Sequence, residues 1–236
     1  EPRMVWSDTE DENHQRCRSR TTFRRYGDTT LFNMKTHIPW RLGIPADVIT
    51  EYAGTELRNF YLDPAVMLQS QLVAFEEFEK DFGIRRTPSI QMTSYLPATT
   101  LGLKLHFPED AEPQYSNDRV LKRIEDVDSL TLPDDLTVCG LLPNYLAALK
   151  HFRSHLGDGF PLFSSKTYSA GFQGPFTTAV LLRGEELFTD LYTDPEKVET
   201  LLELITQNAL RLAELFRTVN SGEDLPVTGA GITDDY

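Results

Sequence analysis

Cysteine is nearly missing. Cys17 and Cys139 are the only two among 236 residues, too few for a disulfide framework, which fits a reducing compartment. Basic residues are also in deficit, with 23 Lys and Arg against 36 Asp and Glu and a formal net charge of −13. That balance argues against non-specific nucleic-acid binding, which needs a basic face to neutralise phosphates. No apolar run approaches the roughly 20 residues needed to cross a bilayer, and the opening EPRMVWSDTEDEN holds no apolar signal core. The expectation is a soluble, cytoplasmic chain with no nucleic-acid or membrane partner.

What is present suits an ordinary globular protein: 40% hydrophobic and 25% charged residues. Residues 1–30 are polar with few regularly spaced apolar positions and read as an arm, leaving 31–236 as the folded domain. Arg16, Arg18, Arg20, Arg24 and Arg25 cluster in that arm, either as a solvated face or as an anion site. Prolines around Ile38-Pro39-Trp40 and Gly43-Ile44-Pro45 predict a turn-rich entry.

Asp63-Pro64 is a helix start signal, and Val66, Met67, Leu72, Val73, Phe75 and Phe78 supply a stripe over 64–81 before Gly83. Leu101, Leu103, Leu105 and Phe107 alternate with polar or small residues. With 89–95 they predict a hairpin or two neighbouring strands, followed by a loop at 107–118. Helical spacing returns at 142–156, and a short apolar strand is expected at 160–163. Asp194-Pro195 repeats the start signal for a helix over 195–218, with a strand at 225–232 after it. Helix, glycine turn, strand, glycine loop and helix in that order is the alternation of parallel βα units.

Two stretches carry candidate chemistry. In GFQGPFTTAVLLRG, 171–184, Gly171 and Gly174 would free the backbone for positive φ after a strand, and Pro175 with Thr177 would open a helix whose N–H groups converge there. Phe172, Gln173, Gly174 and Thr177 are therefore candidate substrate-binding residues, the alternative being a tight packing turn. In Thr233-Asp234-Asp235-Tyr236, adjacent acids on an extended strand point to opposite sides, so at most one faces a pocket, unless they only cap the next helix. His14 with Cys17 lacks a second ligand pair, and His106 falls on the polar face of its strand. No metal ligands are assigned.

Four segments, in this order, resemble the uroporphyrinogen decarboxylase superfamily: Tyr61-Leu62-Asp63-Pro64 with its helix, GLKLHFPEDAEP at 102–113, GFQGPFTTAVLLRG with the LFTDLYTDPEKVETLLELIT after it, and GITDDY at 231–236. The resemblance implies an α/β fold of the (β/α)8 TIM-barrel type, of which 236 residues would hold only the N-terminal part. It also implies that the strand ending at 231–236 borders the active-site cleft and that the entry segment lines the barrel mouth. Asp234, Tyr236 and His37 thus join the candidates as catalytic residues.

The superfamily holds decarboxylases and corrinoid-dependent methyltransferases. The decarboxylases carry an Arg-Gln-Ala-Gly-Arg-Tyr element, a Phe-Ser-Asp aspartate and a tyrosine within the third segment. Here 20–26 reads RTTFRRY, no Phe-Ser-Asp occurs, and 178–183 reads TAVLLR. The methyltransferases hold zinc through His-x-Cys and a distant Cys, which neither cysteine here matches, so corrinoid or zinc is expected only with further C-terminal sequence. The reading favoured is methyl transfer between a methylated small molecule or corrinoid and an acceptor thiol. Tetrapyrrole decarboxylation and a catalytically incomplete binding subunit are the alternatives. The expected partners are the small-molecule, tetrapyrrole or corrinoid substrate and a corrinoid protein, with a homodimer as the assembly considered.

Overall fold

The computed structural model describes residues 44–83, 85–157, 168–221 and 227–233. The expected arm at 1–30 and the strand at 160–163 lie outside them. The described residues belong to one compact unit.

The entry segment is helical sooner than its prolines suggest. Pro45 is extended and serves as the N-cap of α1, Ala46–Ala53, which buries Ala46, Ile49 and Thr50 and stops at Gly54. After α2, Leu57–Leu62, Asp63 accepts from the Ala65 N–H and opens α3, Pro64–Phe82, with Pro64 at the first turn. Gly83 takes the left-handed conformation that closes it. The buried face of α3 is rotated from the expected stripe. Met67, Leu68, Gln71, Ala74, Phe75 and Phe78 point inward, while Leu72 and Val73 are exposed. The polar Gln71 is tolerated because its amide clasps a neighbouring backbone: Nε2 donates to Ser89 O at 2.8 Å and Oε1 accepts from Ser89 N at 2.8 Å.

That clasp holds the segment expected to be a strand, which instead turns at Ser94-Tyr95 into the single helical turn α4, Leu96–Thr99. Leu101 and Leu103 are buried, with Gly102 and Lys104 exposed between and after them, so the two-residue alternation is real. A ladder does not form, because Leu103 N folds back onto Ala98 O. Only β1, Leu105–His106, pairs, antiparallel, with β2, Gln114–Tyr115, inside the expected loop. His106 is exposed, as its alternation predicted.

Helix α5, Leu142–Leu156, matches its expected limits and buries Leu142, Ala148, Leu149 and Phe152; Leu149 and Phe152 share a core with α3, and Leu142 one with Leu96, Leu136, Leu212 and Phe216. The second half is a βαβ arrangement: β3, Tyr168–Gln173, then α6, Pro175–Arg183, α7, Leu187–Thr193, and α8, Pro195–Ser221, before β4, Val227–Thr233. β3 and β4 are parallel, with Gly171 opposite Gly231 and Gln173 opposite Thr233. Parallel strands need a crossover of this kind. Val198, Leu201, Ile205, Leu212 and Phe216 form the inner stripe of α8, close to expectation, and the first three share a core with Leu181, Leu182 and Leu187 of α6 and α7.

Among the described glycines, Gly140 is the most constrained. Its φ is +52°, and a Cβ there would sit 2.3 Å from Thr99 Oγ1 and 2.6 Å from the Thr99 carbonyl carbon. The approach lets Thr99 Oγ1 accept from Leu141 N at 3.1 Å, so α4 is pinned to the start of α5. Gly83, also at positive φ, faces open space. Gly140→Ala should therefore cost about 3 kcal/mol, combining strain with overpacking, and Gly83→Ala only about 1 kcal/mol. Urea unfolding of the two variants measures the difference.

Candidate functional site

The C-terminal end of the β3–β4 pair is where barrel enzymes place their pockets, and the second half of this chain brings one group of candidates there. Gln173 is the last residue of β3 and Gly174 is the N-cap of α6. The glycines do not act as predicted. Gly171 lies within β3 as part of a small-residue ladder, Ala170 and Gly171 opposite Ala230 and Gly231, and Gly174 has φ −65°. The left-handed turn falls at Gly184, φ +91°, where a Cβ would meet Glu186 Oε2 at 2.7 Å. The positive φ of the motif thus lies at its far end, at Gly184, and not directly after the strand.

The described groups at this end are neutral and polar. Gln173 Nε2 donates to Ser94 Oγ at 3.3 Å, joining β3 to the turn before α4, while Gln173 Oε1 is buried with no hydrogen-bond partner among the described residues. Thr177 is buried in the first turn of α6. Thr178, one residue on, is 1% exposed, and its hydroxyl has no partner among the described residues. An unpaired buried acceptor costs roughly 1–3 kcal/mol, which a bound donor would recover. Phe172 lies in β3 beside Ile232. His37, Asp234 and Tyr236 lie outside the described residues, so the expected catalytic trio is not joined to this group.

Sequence reasoning missed what aims the turn. Arg183, the last residue of α6, and Asp190 of α7 are both buried, with Arg183 Nε donating to Asp190 Oδ2 at 2.8 Å. Arg183 also donates from Nη1 to Lys122 O at 3.1 Å, and Leu121 N donates to Leu182 O at 3.0 Å. The far end of α6 is locked to the 121–122 segment and to α7. An arginine just before a helix-ending glycine is only a dipole-compatible residue in sequence. Its partner seven residues on becomes visible only once α7 exists.

A second unforeseen contact ties two of the family-like segments. Tyr61 OH donates to Glu112 Oε2 at 2.6 Å, and its ring stands 6.4 Å from that of Phe107. Burial, and then the Glu112 carboxylate, push the phenol well above its ordinary range. An open groove of about 620 Å³ runs along α7 and α8, lined by Leu191, Pro195, Val198, Leu202, Glu203 and Thr206. It contains none of the candidate residues, and the β3 end, with its orphaned acceptor, is the better site on chemical grounds.

Two outcomes check this geometry. Arg183→Met should destabilise by about 3–5 kcal/mol because Asp190 is left buried and unpaired, whereas Arg183→Met with Asp190→Leu should recover most of the loss; a denaturant double-mutant cycle reads both. Tyr61 keeps its proton in the folded state beyond the point where the unfolded chain, with its ordinary value of 10.0, begins to lose it. Its contribution is full below pH 10 and is lost as pH rises above that. Stability curves for Tyr61→Phe should fall less steeply above pH 10 than those of the unsubstituted chain.

Comparison with known proteins agrees with the architecture. Residues 45–219 match the family Uroporphyrinogen decarboxylase (URO-D). A methyltransferase from Methanosarcina mazei has a similar structure, with a TM-score of 0.58 at 16% identity, over 82% of this chain and 52% of that one. The chain therefore spans about half the length of that solved structure. No curated protein matches it. Among the described residues, no helix is long and apolar enough to cross a membrane. With the matched residues covering most of its length and an α/β structure that fits the TIM-barrel superfamily, the chain belongs to the uroporphyrinogen decarboxylase (URO-D) family.

Proposed function

We propose that this chain holds the methyl donor, a methylated small molecule or a methyl-corrinoid, for transfer to an acceptor thiol, and that residues 31–236 form part of a URO-D-type barrel behind a polar arm at 1–30. The observation that carries the reading is that the described groups at the end of β3 are neutral: Ser94, Gln173 and Thr178 bring hydroxyls and an amide, with a buried Gln173 acceptor still unpaired among the described residues. Uroporphyrinogen is a polycarboxylate and calls for cations. The arginine nearest in sequence, Arg183, is committed to Asp190 at the opposite end of α6. No Phe-Ser-Asp element occurs in the sequence.

The methyltransferase branch implies zinc and a corrinoid. The residues described do not fit a zinc–thiolate centre: no three His, Cys, Asp or Glu side chains converge among them, and Cys139 donates its thiol to Asp135 O at 3.2 Å. No step is therefore routed through a metal. The role of the chain's own groups is to hold and orient. Gln173, fixed through Nε2 to Ser94, presents Oε1 to a donor hydrogen on the bound molecule, and the helix start at Gly174 brings its backbone against it. Asp234, Tyr236 and His37 complete this proposal as polarising groups.

Difference spectroscopy with methylcobalamin and with uroporphyrin tests the reading. Saturable methylcobalamin binding is expected, weakened about tenfold in Gln173→Leu through loss of one to two hydrogen bonds. Tight uroporphyrin binding accompanied by carboxylate loss from the reduced substrate would overturn it in favour of decarboxylation.

A further inference from the structure

We propose that Tyr115, at the end of the short β1–β2 hairpin, is a positioning residue for the end of β3, holding both sides of the Gln173–Ser94 contact. This role rests on the reading of that end as the donor-holding site. It also brings in the family-like segment at 102–113, which runs directly into β2 and has no part in that reading. Gln173 Nε2 meets Ser94 Oγ at 3.3 Å, beyond the usual length of such a bond. One long bond between a side-chain amide and an exposed serine does not fix its own geometry, so both backbones have to be held from elsewhere.

Tyr115 reaches both. On one side its ring meets that of Tyr95 edge to face, with centroids 5.6 Å apart and planes inclined at 79°. Tyr95 directly follows Ser94 in the turn that opens α4. On the other side the Arg119 guanidinium lies over the Tyr115 ring, its Cζ 5.2 Å from the centroid. Arg119 Nη1 donates to Leu181 O at 3.4 Å in the last turn of α6, the helix that leaves Gln173 through Gly174. Edge-to-face rings and a cation over an aromatic face are both directional attractions, so the Tyr115 ring has one preferred place between the two sides.

The hairpin is itself fastened, which lets it brace other groups. Tyr115 pairs with Leu105 across the two strands, and Ser116 N donates to Lys104 O at 2.9 Å. Leu105 and Tyr95 pack against the same core, the one that holds Leu101, Leu103 and Ala179. Between the strands, Glu112 accepts from Tyr61 OH at 2.6 Å and Glu109 O accepts from Arg58 N at 3.3 Å, so the connecting loop is tied to α2. Tyr115 is 37% exposed, so lost burial is a modest part of what a substitution there removes and the two directed contacts are the larger part.

Amide NMR of the whole chain, with the Gln173 side-chain NH2 as reporter, tests the role. Tyr115→Leu should move the Gln173 side-chain and Ser94 amide signals and weaken methylcobalamin binding about fivefold, the factor that one aromatic pair supplies. Tyr115→Phe, which keeps the ring, should restore both. Arg119→Met keeps the aliphatic stem, removes the guanidinium and leaves the hairpin sequence 105–115 unaltered. It should move the Gln173 signals as well, and it carries the test if Tyr115→Leu does not fold. Unmoved Gln173 and Ser94 signals in either folded variant, or a Tyr115→Phe chain that behaves like Tyr115→Leu, would overturn the proposal. Moved signals in a chain that binds no methylcobalamin would support the positioning role and sink the donor reading alone.

Discussion

The buried ion pair between Arg183 and Asp190 sets the geometry on which the candidate site depends. A short helix that leaves a strand can swing about its N-terminus unless its far end is held. Here that end is held by a charge-assisted hydrogen bond at 2.8 Å and by two bonds to the 121–122 segment. With α6 fixed at Arg183, the direction in which Gly174 leaves β3 is fixed too, and with it the position of Gln173 beside Ser94. Desolvating two charges is expensive, so such a pair is weak evidence of added stability. Its effect here is to select one orientation of α6 against the α7–α8 layer.

A polar second tier supports the same junction. Asn208 of α8, 1% exposed, donates to Thr100 Oγ1 at 2.9 Å, and Thr100 in turn donates to Pro97 O at 2.7 Å. Thr99 holds the 141 backbone N–H across the Gly140 contact. The turn that carries Ser94 is thereby tied to α8 on one side and to α5 on the other. Gln173 thus meets a partner whose own backbone is anchored, which suits a site that positions a substrate rather than one that moves.

The long helices were legible because their signals are local. Asp63-Pro64 and Asp194-Pro195 opened helices where expected, and the apolar period carried α3, α5 and α8 to within a few residues of their ends. The parallel alternation was legible for the same reason, and β4 appeared within two residues of its predicted start. What failed depended on contacts between distant segments. The alternation at 101–107 is real in burial, yet the strand was lost because Leu103 N bonds Ala98 O. Leu72 and Val73 face solvent because Gln71 turns inward to clasp Ser89, a choice no period reveals. Of the candidate site, Gln173, Gly174 and Thr177 came from the motif, whereas Ser94, Thr178 and the Arg183–Asp190 pair needed the tertiary arrangement. The glycines were singled out for a positive φ that Gly174 does not have: its backbone is extended, and Gly171 lies within β3 opposite Gly231.

If the chain holds a methyl donor, the β3 mouth must be a neutral, substrate-holding surface. Mapping of amide shifts, including the Gln173 side-chain amide, during titration with methylcobalamin probes that surface directly. Changes should concentrate at Ser94 and at 173–178, with uroporphyrin leaving those signals in place. Changes centred on the α7–α8 groove, or displacement of the Gln173 amide by uroporphyrin, would contradict a neutral donor-binding mouth.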